Sequence, residues 1–104
     1  GTFTPQGVAN ALWAFARLSV MPDPAFLRAM MDQAALRAGG FNPQDLANTL
    51  WALATLQAPA PPRLLEALGG RAADVMGGFT SQNVANTMWA LAALGGAPPP
   101  GLAG

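Results

Sequence analysis

Four kinds of side chain with chemical capacity return at a fixed interval of 38 residues. They are Gln6, Gln44 and Gln82; Asn10, Asn48 and Asn86; Trp13, Trp51 and Trp89; and Phe3, Phe41 and Phe79. Amides donate and accept hydrogen bonds, and indoles pack or stack. None of these groups is a nucleophile, and none titrates near neutrality. The chain has no Cys and no His. That removes the thiol nucleophile, the disulfide framework, Ser-His-Asp chemistry and the zinc cluster. No carboxylates cluster and no Gly-rich loop follows a strand. The pattern points to binding rather than to an enzyme. No catalytic residue, cofactor, metal or small-molecule substrate is expected.

The length of 104 residues allows one small domain. Five arginines balance five acids, so no strong net field draws the chain to a polyanion. The longest apolar run, around residues 88–97, is about half of the ~20 residues that a membrane helix needs. No membrane partner is expected. The chain lacks an initiator Met and shows no signal peptide. It is expected to be an interior piece of a longer protein, marginally stable by itself.

The 38-residue interval sets the organisation. Three blocks align: FTPQGVANALWAFARL, FNPQDLANTLWALATL and FTSQNVANTMWALAAL. Residues 3–40 and 41–78 are complete units, and 79–104 is a truncated third. Each unit reads as two helices, A and B. Thr4-Pro5 and Asn42-Pro43 suit the cap and first position of an A helix. Asp23-Pro24 starts the first B helix, and Pro62 starts the second. The proline-rich joint after Gln57 is expected to end helix A, since proline removes a donor and clashes with the preceding turn. Gly39-Gly40 and Gly77-Gly78 are expected to end the B helices as glycine does past a C-terminus. Gly69-Gly70 inside the second B helix should weaken or bend it. The spacing predicts five helices, at about 5–18, 24–38, 43–57, 62–76 and 81–95. Neither helix of a unit can bury its apolar stripe alone. The expected fold is all-α, an α-solenoid of about two and a half helix-hairpin repeats.

Projected as a helix, the second A segment buries Leu46, Ala47, Leu50, Leu53 and Ala54, with Trp51 at the edge. The opposite arc is expected to expose Asn48, Ala52 and Asp45. Their counterparts are Asn10, Ala14 and Gly7, and Asn86, Ala90 and Asn83. If the A helices line a concave side, these positions line a groove. A base-reading code needs side chains that differ between units. On that argument Gly7, Asp45 and Asn83 are the specificity candidates, and the repeated Ala leaves room for a ligand. Asp45 equally suits the first turn of its helix as a capping carboxylate. The asparagines either clamp what all nucleotides share or form a hydrogen-bond ladder between units. Arg17, at the place of Thr55 and Ala93, either reaches a phosphate or is simply solvated. Trp13, Trp51 and Trp89 read as packing between repeats, with base stacking as the alternative. Phe3, Phe41 and Phe79 read as staples of the joints, and the three glutamines as capping or ladder residues. Arg28, Arg37, Arg63 and Arg71 are placed on the outer face of the B helices.

The repeat F-x-P-Q-x-(L/V)-A-N-x-(L/M)-W-A-x-A-x-L, with its proline-rich joint, resembles the octotricopeptide repeat family of green algae. The resemblance spans essentially the whole chain; Ser81 departs from it where the family has proline. It implies an organelle protein of the chloroplast or mitochondrion, its targeting peptide outside this segment. It implies binding of single-stranded organelle mRNA or rRNA, in support of RNA maturation, stability or translation. The alternative is a scaffolding solenoid that binds protein partners within an organelle ribosome or another large assembly. Zero net charge weighs toward that alternative, since phosphate contacts usually dominate RNA affinity.

Overall fold

A computed structural model describes residues 4–95. Among them it contains five α-helices and no strand. The helices are α1 (Pro5–Arg17), α2 (Pro24–Leu36), α3 (Pro43–Thr55), α4 (Pro62–Asp74) and α5 (Ser81–Ala93), each of thirteen residues. The odd-numbered helices are the A helices and the even-numbered ones the B helices. Phe3, counted among the repeated aromatics, lies outside the described residues.

The starts follow from local chemistry. Thr4, Asn42 and Thr80 sit in extended backbone, and each side-chain oxygen accepts from the N–H three residues on, at 3.0, 2.7 and 3.0 Å. That satisfies one of the amides a helix start leaves free. Asp23 caps α2 by accepting from the N–H groups of Ala25 and Phe26. At α4 the capping position is Pro61, and no side chain caps the start.

The ends differ from expectation. The A helices stop before the prolines. Ser19, Gln57 and Gly95 occupy the same place in successive units, and all are left-handed, with φ of 56°, 53° and 84°. The Val20 N–H then donates to the Phe15 carbonyl, and that of Ala58 to Leu53, at 3.0 and 2.9 Å. This is the Schellman closure, which satisfies terminal carbonyls. The B helices do not end on left-handed glycine. They tighten into 3-10 turns at Ala38–Gly40 and Met76–Gly78, where no glycine has positive φ. Glycine is needed there for close approach. A Cβ on Gly40 would stand 3.2 Å from Pro5 Cγ, and one on Gly78 3.1 Å from Pro43 Cγ. Each glycine seats the end of a unit on the proline that began it. The pair Gly69-Gly70 does not break α4, which runs unbroken to Asp74.

The five helices form two layers. In the A layer, α3 packs against both α1 and α5; in the B layer, α2 packs against α4. One core joins them, with Leu12, Met30, Leu46, Leu50, Leu64 and Leu68 fully buried. Phe41, at the joint between the first two units, is the largest wholly buried side chain. Its carbonyl accepts a 2.8 Å hydrogen bond from Arg71 Nε. Arg71 is therefore half-buried and structural, whereas it had been expected on the outer face.

Two glycine substitutions should move stability in opposite directions. Gly70 is exposed, and a Cβ there meets nothing within 4 Å. Gly70→Ala should stabilise by about 0.5–1 kcal/mol through lost chain entropy. Gly78→Ala drives a methyl onto Pro43 and should destabilise by about 1 kcal/mol. Urea unfolding of the two variants checks both signs.

Candidate functional site

The three A helices have different surroundings, and this sorts their residues without ambiguity. Helix α1 has no A neighbour before it among the described residues, and α5 has none after it. One set of columns is open in the first unit and closed in the next two. Ala14 is exposed, while Ala52 and Ala90 are fully buried. Leu18 is 73% exposed, while Leu56 and Leu94 are half-buried. Gly7 is exposed, Asp45 half-buried and Asn83 only 6% exposed. These columns face the preceding A helix. A second set is closed in the first two units and open in the third. Ala9 and Ala47 are buried and Ala85 exposed; Ala16 and Ala54 are buried and Ala92 exposed. These face the following A helix.

The expected groove is corrected on this point. Ala52 and Ala90 do not line an open surface. Their small side chains leave room for the neighbouring helix, not for a ligand. Asp45 and Asn83 turn toward that same contact, whereas Gly7, with no A helix before it among the described residues, is exposed. In α3 the buried arc extends well beyond the leucine stripe, because α3 has neighbours on two sides as well as a layer beneath it.

Five helical columns remain open or half-open in all three units; one, Pro5, Pro43 and Ser81, is the first position of each helix, and the other four share one face. Along α1 they are Gln6, Asn10, Trp13 and Arg17. Along α3 they are Gln44, Asn48, Trp51 and Thr55. Along α5 they are Gln82, Asn86, Trp89 and Ala93. The spacing i, i+4, i+7, i+11 places each set on one face of its helix. Three parallel stripes result, on the side of the A layer turned away from the core. Trp13 and Trp89 are 40% and 51% exposed, and Trp51, between two neighbours, is half-buried. The indoles thus show a face to solvent as well as packing between helices.

The amides are ordered within their own helices. Gln44 Nε2 donates to Asn48 Oδ1 at 3.0 Å, and Gln82 Nε2 donates to Asn86 Oδ1 at 3.1 Å. These glutamines therefore serve the stripe and not the cap. In these two units the bonded pair leaves the asparagine NH₂ and the glutamine carbonyl free for other partners, while no such bond joins Gln6 to Asn10. On α1 the Arg17 guanidinium lies over the Trp13 ring, 5.1 Å from its centroid, within cation–π range. From sequence the glutamines read as capping or ladder residues and the tryptophans chiefly as packing, so the two are not joined in one exposed stripe. The signal was available in the i, i+4, i+7, i+11 recurrence, which a projection centred on leucine does not emphasise.

Asp45 closes a reciprocal cap. Its N–H donates to Asn42 Oδ1 at 2.7 Å, and its carboxylate accepts from the Asn42 backbone N–H. Burial against the neighbouring helix nevertheless pushes its pKa above the ordinary 3.8, outweighing that hydrogen bond. Elsewhere among the described residues no group of three or more His, Cys, Asp or Glu stands together. No described helix is long and apolar enough to cross a membrane.

Residues 2–103 match the family model described as Tbc2 translation factor, N-terminal domain. The chain belongs to this family. No curated protein and no solved structure matches it.

Two predictions follow from the packing of the A layer. Ala52→Leu should destabilise by about 1–3 kcal/mol, because the added carbons force α1 and α3 apart; thermal or urea unfolding measures it. The second concerns pH. A raised folded pKa means that Asp45 contributes most stability below pH 3.8 and loses that contribution as pH rises through its folded value. Asp45→Asn should flatten this decline. Unfolding free energies from about pH 3 to about pH 7 should show the variant gaining on the parent as pH rises.

Proposed function

We propose that this chain is a stretch of an α-solenoid that holds single-stranded RNA of an organelle along the outward face of its A helices. In this reading it supports the translation, maturation or stability of that RNA without catalysis. The observation that carries the reading is the stripe Gln-Asn-Trp, outward-facing in three successive units. Its groups are those that bind a nucleic acid strand without titrating: a π face for a base, and an amide donor and acceptor for its polar edges, ribose or phosphate. Membership of a translation-factor family supports the same reading. So does the repeat pattern, which resembles one associated with RNA of chloroplasts and mitochondria in green algae. Packed helices stand about 8–10 Å apart, so successive stripes would meet successive points along an extended strand, one nucleotide to a unit.

In this mechanism the chain makes and breaks no bond. The tryptophans stack bases, and the ordered Gln–Asn pairs hold groups common to every nucleotide. Arg17 is the one cation on the three stripes. The electrostatic share of binding from these units is therefore small, and stacking carries most of it.

A second reading has its own observation. A face with one cation in twelve stripe positions has no electrostatic need of a polyanion and suits a protein strand equally well. In that case the chain is a scaffold within a ribosome or another large assembly.

Binding of the full-length protein to single-stranded RNA, followed by fluorescence anisotropy over a salt series, separates the two readings. Trp51→Ala should weaken binding about tenfold, the scale of one stacked base. Asn48→Ala should weaken all sequences about equally. Arg17→Ala should reduce the salt slope by no more than about 0.7, the increment for one phosphate contact on a single strand. Absence of RNA binding at low salt, with a protein strand protecting these tryptophans from labelling, would establish the scaffold reading instead.

A further inference from the structure

We infer that the fourth position of each stripe, Arg17, Thr55 and Ala93, selects which nucleotide its unit accepts. The inference rests on the RNA reading of the A face and goes beyond it by naming the column that discriminates.

The argument is by elimination over exposed positions and then by chemistry. A column can discriminate only if its side chains differ between units and if they reach the ligand. Glutamine, asparagine and tryptophan are identical in all three units and fail the first condition. Gly7, Asp45 and Asn83 differ but fail the second. From unit to unit they pass from open surface into the contact between A helices, and Asn83 is almost wholly buried. Their variation belongs to capping and packing. Arg17, Thr55 and Ala93 differ and are exposed in every unit. The other helical column that varies and stays at least half-open, Pro5, Pro43 and Ser81, stands at the helix start, off the stripe, where Gly40 and Gly78 close on the two prolines.

Placement agrees. Each of the three stands four residues beyond its tryptophan, one helical turn along the same face. A base lying on the indole would therefore turn an edge toward this side chain. The Arg17 guanidinium already sits over the Trp13 ring at 5.1 Å. A long side chain at this position thus reaches the space above the indole, as Arg17 does. The three residues offer different chemistry there. Arginine presents up to five donors and no acceptor, which suits an acceptor-rich edge such as that of guanine. Threonine presents one hydroxyl, both donor and acceptor. Alanine presents a methyl group, so it leaves space and imposes no polar requirement.

The test is selection of a randomised single-stranded RNA library on the full-length protein, followed by sequencing of the retained pool. Thr55→Arg should change the preferred base at one nucleotide position only. The new preference should match the one already seen at the neighbouring nucleotide served by Arg17, with enrichment changed about tenfold. Asp45→Asn should leave the sequence profile unchanged. Ala93→Arg provides a second, independent transplant on the exposed end of α5. If Thr55→Arg and Ala93→Arg raise affinity for all sequences alike and steepen the salt dependence, the column contacts phosphate and the inference is overturned. It is also overturned if Asp45→Asn moves the profile while both transplants leave it fixed. If the parent protein retains no RNA at all, the RNA reading itself fails, a result distinct from retention with an unmoved profile.

Discussion

Close contact between A helices is the constraint on which the rest depends. Ala52 and Ala90 are fully buried where one A helix meets the one before it. Alanine brings little apolar area, so burying it contributes little transfer free energy. Its effect is geometric. It lets α3 press against α1, and α5 against α3, so that leucines on either side of the contact are covered. Because α3 is enclosed on two sides and beneath, only a narrow outward arc escapes. The stripe common to the three helices is four residues long, and the repeat fills three of the four places with the same polar or aromatic group. The width of the exposed face is thus set by the alanines that are not part of it.

The joints convert this contact into a fixed period. Left-handed residues at Ser19, Gln57 and Gly95 turn the chain out of each A helix at the same point. Only the third is glycine; for the other two the left-handed conformation costs roughly 1 kcal/mol, which surrounding packing must offset. At the other end of the unit, Gly40 and Gly78 close onto Pro5 and Pro43, while Phe41 fills the space between layers and Arg71 holds its carbonyl. These contacts link residues 30 to 35 positions apart, so each unit is closed on itself before it meets its neighbour. Thr49 and Thr87, in one column, are fully buried where an A helix meets the one before it.

The period, the two helices in each unit and the capped starts at Thr4, Asn42 and Thr80 were legible in the sequence, because each rests on local chemistry. Proline and an Asx or Thr cap act within one turn. The leucine stripe of α3 was legible for the same reason. The second and third sides of α3 were not. A helical projection assumes one apolar face, and Ala52 carries no mark that distinguishes a buried alanine from an exposed one. Asp45 and Asn83 read as surface residues because they are polar, yet a neighbouring helix covers them. The glycines were legible as punctuation but not for their reason, since approach to Pro5 and Pro43 lies 35 residues away in sequence. What failed was non-local, and the comparison that corrects it is between copies: the same column, seen with and without its neighbour.

The two layers are held by different contacts. Between α2 and α4 a cleft of about 570 Å³ opens beside the joints, lined by Met21, Pro22, Met31, Pro59 and Pro61 among others. The one ion pair across that layer among the described residues, Arg63 to Asp32 at 3.4 Å, is between side chains 71% and 51% exposed and contributes little. Helix α4 also carries Gly69-Gly70, around which no side-chain contact would be met. In the A layer the alanine contacts are fully closed, Ala52 and Ala90 being wholly buried. In a repeat array, stability is the sum of unit and neighbour terms, and curvature follows from the small rotation between units. Here the neighbour terms differ between the layers: buried alanine closes the contacts between A helices, whereas the contact between α2 and α4 carries a cleft and a solvent-screened ion pair, so the A contacts supply the larger share.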